Sequence, residues 1–98
     1  MEAIQRQLIR TDGTIIPLHE PQSIQQIEVL IGAKTLDVFY FRDDKGRLWS
    51  VMVDDIGHDK QLPVNDIATK KYWSVCLVGT VHQIRGDVFM QLDSEFNN

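Results

Sequence analysis

Polar and apolar positions change their period several times along the chain. Over residues 3–10 they alternate, with Ile4 and Leu8 on one side and Gln5, Gln7 and Ile9 on the other. That predicts a strand, and its polar content suits a sheet edge. Asp12-Gly13 then marks a two-residue hairpin turn, because such turns need positive φ. Residues 14–16 pair back, and Pro17, lacking an N–H, ends the return strand. After the connector His19-Glu20-Pro21-Gln22 the spacing becomes helical, with Ile24, Ile27, Leu30 and Ile31 on one stripe and Gln25, Gln26 and Glu28 outside it. Ser23 followed by Gln26 reads as a capping box, and Gly32 as the left-handed stop, for an amphipathic helix of about three turns.

Period two returns over residues 35–42, where Leu36, Val38 and Tyr40 oppose Phe39 and Phe41. Asp43-Asp44-Lys45-Gly46 turns the chain, and residues 47–53 come back with Trp49, Val51 and Val53 on one face and Leu48 and Met52 on the other. Both faces of this hairpin are apolar, which predicts a central place in the sheet or a face covered by another subunit. Residues 54–61 are polar, with Gly57 as a breaker. Val75-Cys76-Leu77-Val78, continuing to Val81, predicts a further strand; Arg85-Gly86-Asp87 a turn or bulge; residues 88–92 a last strand; and residues 93–98 a polar tail that frays. The order β-β-α-β-β-α-β-β predicts one α+β domain spanning residues 1–98, with a mainly antiparallel sheet and the helices on one face.

The second helix lies in the most specific stretch, residues 62–73. Pro63 fixes its own φ and extends Leu62. Asn65 is suited to cap the helix, Asp66 to its positive end, and Lys70 and Lys71 to its negative end. As a capped connector this segment predicts that Asn65→Ala costs roughly 1 kcal/mol. As a site, its free N–H groups would hold an anion with Lys60, Lys70 or Lys71 nearby, although Asp66 disfavours a strongly anionic ligand there.

Composition narrows the field. Ten basic and 14 acidic residues give a net charge of −4, against the basic footprint that general nucleic-acid binding requires. Cys76 is the single cysteine, so no internal disulfide forms, and its apolar surroundings predict a buried thiol. The start of the chain shows no signal-peptide core and no run is long enough to span a bilayer, which predicts a cytoplasmic protein with no membrane partner.

No nucleophile elbow, phosphate loop or dinucleotide fingerprint is present, and no cofactor is expected. Asp54, Asp55, His58 and Asp59 are the best metal-ligating candidates, but their spacing matches neither a calcium loop nor a zinc signature, and a solvated acidic loop is the plainer reading. His19 and His82 are isolated in sequence. Trp49 and Trp73 are core residues or stacking platforms; together with Lys60, Asn65, Thr69 and Lys70 they form the candidate ligand site, with a nucleotide as its ligand.

Three segments together resemble a family of small phage and plasmid proteins of unknown function. They are residues 24–32 followed by Leu36-Asp37-Val38; residues 51–57 running into Leu62-Pro63-Val64-Asn65-Asp66-Ile67-Ala68-Thr69; and Ile84-Arg85-Gly86-Asp87-Val88. The Leu-Pro-x-Asn-x-x-Ala-Thr run is the specific part, and the chain departs from the pattern around residues 73–83. The resemblance implies a mobile-element accessory protein in a bacterial host cell, binding a host protein stoichiometrically, with counter-defence as its setting. Sequestration of a nucleotide-type immune signal by a homo-oligomer is the alternative, and metal-dependent hydrolysis a weaker one.

Overall fold

The computed structural model describes residues 5–93. The described residues form a five-stranded antiparallel sheet and two helices in the order β1 (Arg6–Ile9), β2 (Ile15–Pro17), α1 (Ile24–Ile31), β3 (Leu36–Arg42), β4 (Leu48–Asp54), α2 (Asp66–Trp73), β5 (Val88–Leu92). Across the sheet the order is β2-β1-β5-β4-β3. The α+β class and the antiparallel sheet are as the alternation predicts; the strand count and the placement of the helices differ.

Local chemistry sets the hairpins and α1. Gly13 takes φ 92°, the Asp12 carboxylate accepts from the Thr14 N–H, and Ile9 pairs with Ile15. The Ser23 hydroxyl accepts from the Gln26 N–H while the Gln26 side chain accepts from the Ser23 N–H, and Gly32 closes the helix at φ 72°. The helix has eight residues, just over two turns. Between β3 and β4, Asp43 receives the backbone N–H groups of Lys45 and Arg47, the Arg47 guanidinium and the Trp49 indole N–H. These donors, the Trp49 indole first, hold its carboxyl well below the usual carboxylate range.

The sheet has a core on each face. Leu8, Ile27, Ile31, Ala33 and Phe89 pack on the α1 side, joined by Ile16, Leu36 and Met52. Ile9, Phe41, Trp49, Val51, Val53, Ala68, Ile84, Val88 and Met90 pack on the α2 side. The helices therefore lie on opposite faces, not on one. The three consecutive residues Val88, Phe89 and Met90 are all buried because β5 is the middle strand.

Further expectations are overturned. β1 is not an edge: it pairs with β2 and with β5. Among the described residues the edges are β2 and β3, so the β3–β4 hairpin is central only through β4. Residues 75–81 form no strand; they leave α2 as a chain of turns. Cys76 is half-buried there, outside both cores. The strand reading for Ala3 and Ile4, and the tail reading for residues 94–98, lie outside the described residues.

Candidate binding surfaces

Residues 62–73, the first candidate site, are consumed in holding the fold together. Asn65 is fully buried; its Oδ1 accepts from the Ala68 N–H, while its Nδ2 donates to the carbonyls of Ile9 and Gly86, each at 3.0 Å. Its backbone N–H donates to Ile84 O, next to a bridge between Val64 and Arg85. The buried Thr69 hydroxyl accepts from Ile84 N–H at 2.9 Å and donates to Ile84 O at 3.3 Å. One amide and one hydroxyl thus fasten α2 to β1 and to the strand-like run that enters β5. Capping explains only one of the three side-chain bonds of Asn65.

The remaining candidate residues are not gathered around this point. Trp49 is buried and bound to Asp43, whereas Trp73 is partly exposed and donates to His82 O at 2.7 Å. Lys60 is drawn to Asp54 at 2.6 Å and to Gly32 O at 3.2 Å. Lys70 is exposed, and Lys71 lies over the Phe41 ring. The hollow at the start of α2 is lined by Arg10, Asp12, Asp66 and their neighbours, and Arg10 is paired with Asp87. No lysine lines it, so the anion-holding arrangement is not formed.

The acidic loop is likewise structural. The Asp54 side chain is fully buried, accepts from the Ile56 N–H and is neutralised by Lys60. Asp55, His58 and Asp59 are exposed. Among the described residues no group of three or more His, Cys, Asp or Glu is placed to hold a metal ion. Gly57 lets this loop press on the next segment: a Cβ there would sit 2.9 Å from Arg85 O.

That close approach shapes a cleft of about 290 Å³ between the loop, β3 and the end of α2. Its wall is a run of rings. Phe39 meets Tyr72 edge-on at 5.2 Å, Tyr72 meets His82 at 5.8 Å, and His82 lies 6.3 Å from His58. Asp37, Asp55 and Arg85 supply charge at its border. The Tyr72 phenol is held above its ordinary range, first by the neighbouring Cys76 thiol, then by burial and the Asp37 charge. The Arg85 guanidinium donates to Leu62 O, and its buried Nε finds no acceptor among the described residues. His58 and His82 are 24 positions apart in the chain, and nothing in either segment's pattern announces that they meet.

A second surface is more unusual. From Trp73 the chain runs through Val75, Leu77, Val78 and Val81, with Leu77 88% exposed, Val81 83% exposed and Val78 fully exposed. Its hydrogen bonds turn inward, from Thr80 N–H and Oγ1 to Leu77 O and from Trp73 to His82 O, so the loop has its own shape without a supporting element. Isolated apolar residues on a surface are ordinary; four within seven positions on one projecting loop are not. The same residues carry the β-propensity that predicted a strand. Gly79, at φ 95°, was the sequence signal against it.

No family model, curated protein or solved structure matches the chain. Among the described residues no helix is long and apolar enough to cross a membrane.

Proposed function

We propose that this chain is a non-enzymatic binding protein of the phage accessory type, acting stoichiometrically on a host protein in a counter-defence setting, and that the ridge at residues 75–81 is its contact. The ridge is the observation that supports this reading. Burying a Leu or Val side chain is worth about 1.5–3 kcal/mol, and the fold leaves Val75, Leu77, Val78 and Val81 in water. A partner that covers them gains that free energy, offset by the cost of association. The test is capture from a bacterial host lysate by the wild-type chain and by a Leu77→Asp/Val78→Asp double variant. Wild type recovers one protein in near-equal amount and the double variant recovers none while keeping its circular dichroism. Equal recovery by both, or enrichment of nothing by wild type, rejects the reading.

Nucleotide sequestration retains one supporting feature, the ring-lined cleft. Trp73 holds His82, a cleft residue, by its indole N–H, so its fluorescence reports on occupancy. An emission spectrum unchanged across cyclic and linear nucleotides removes this second reading.

A further inference from the structure

The geometry points to a second copy of this chain as the occupant of the β3 edge, which would join two sheets into one across a twofold axis. The bonded pairs Asp43–Arg47 and Asp55–Thr35 frame the β3–β4 ladder. By the alternation of antiparallel pairing, the odd-numbered residues of β3 exchange hydrogen bonds with β4. The N–H and C=O groups of Leu36, Val38, Tyr40 and Arg42 therefore face outward. Among the described residues only the Val38 N–H of these has a local acceptor, the Asp37 carboxylate at 2.9 Å.

Natural edges are protected by short length, proline, bulges or lysine. The other edge, β2, has three residues and ends in Pro17. β3 has seven residues in unbroken register and contains neither proline nor lysine; its charged residues are Asp37 and Arg42, towards its two ends. Its outward residues also carry apolar side chains on the α1 face. Val38 is 41% exposed and Tyr40 48% exposed, beside a groove of about 260 Å³ lined by Ile24, Leu36 and Met52.

Charge selects the occupant and the register. Antiparallel pairing of β3 with its own copy about Phe39 sets Val38 beside the second copy's Tyr40 and Leu36 beside its Arg42. Beyond both ends of the ladder it brings Lys34 level with the second copy's Asp44, twice by symmetry. A slip to either neighbouring register is repulsive. One sets Lys34 against Arg42, and the other sets Asp37 against Asp43. Because the β2 edge is blunted, the assembly closes at two copies rather than growing.

The test is light scattering and sedimentation equilibrium of the full chain over a range of concentrations. A monomer–dimer equilibrium with no larger species is expected. Val38→Lys and Tyr40→Lys yield monomers with unchanged circular dichroism and a thermal midpoint that no longer depends on concentration. Lys34→Glu weakens the dimer about twofold to tenfold, and adding Asp44→Lys restores it, a readout that holds even if an edge variant misfolds. The Leu77→Asp/Val78→Asp variant remains dimeric, which separates this surface from the ridge. A monomer at every concentration, open-ended growth, a dimer indifferent to both lysine variants, or a charge reversal that restores nothing would overturn the proposal.

Discussion

Replacing Asn65 separates a helix cap from a clip that joins three parts of the fold. Asn65→Ala deletes the acceptor for Ala68 N–H and the donors for Ile9 O and Gly86 O, all in buried surroundings. Loss of the cap costs about 1 kcal/mol. Gly86 O, buried and left without its donor, adds about 1–3 kcal/mol, and Ile9 O, which keeps its ladder partner Val88, adds less. The total is about 2–4 kcal/mol. A domain of this length has about 5–15 kcal/mol to lose. Equilibrium urea denaturation followed by tryptophan fluorescence measures the change, with the midpoint falling and the slope unchanged. Asn65→Asp sharpens the test. It keeps the capping oxygen but sets a second oxygen against two carbonyl oxygens, so it should be at least as damaging as Asn65→Ala. An Asn65→Ala cost near 1 kcal/mol, or a near-neutral Asn65→Asp, would refute the clip and leave only a cap.

Three further outcomes follow from the same geometry. Thr69→Val leaves the Ile84 N–H without its buried acceptor and should cost about 1–3 kcal/mol in denaturant titration, whereas Thr69→Ser keeps the bond and most of the stability. Lys60→Met strands the fully buried Asp54 carboxylate and should cost roughly 2–4 kcal/mol by thermal unfolding; adding Asp54→Asn should recover part of it, and strict additivity would sink the pairing argument. Asp43 has a folded pKa below its unfolded one, so its stabilisation is complete above the ordinary carboxylate range. It is lost as pH falls through that range towards the depressed value. Trp49 fluorescence during acid titration should follow that loss, and Asp43→Asn should remove the corresponding part of the pH dependence.

Much of the fold is legible where a few adjacent residues decide the outcome. The Ser23–Gln26 capping box with Gly32 and the alternation through Trp49, Val51 and Val53 act locally and appear as read. Asp12-Gly13 does turn the chain, but in a three-residue loop, Thr11 to Gly13, closed by Arg10 and Thr14, rather than in a two-residue turn. The errors come from decisions made at long range. Polar Gln5 and Gln7 suggested an edge, but pairing with β5 places β1 inside the sheet. Residues 75–81 have strand propensity and no ladder partner, and propensity without pairing makes no strand. The consecutive apolar residues Val88, Phe89 and Met90 already signalled a strand covered on both faces, and so helices on both sides. At the candidate site, Asn65 stood out for a physical reason, but its amide serves the fold. The cleft stayed hidden because His58, Tyr72, His82 and Arg85 meet only after α2 docks.

Among the described residues, the middle strand of the sheet is also the last of the five in chain order. Until residues 88–92 are synthesised, the hairpins β1–β2 and β3–β4 have no shared neighbour, since each reaches the other only through β5. Half-made chains therefore carry two short ribbons with unpaired inner edges, and isolated two-stranded ribbons are marginal in water. Assembly of the sheet must wait for residues 88–92, and until then a growing chain depends on its surroundings to keep those inner edges apart from other nascent chains.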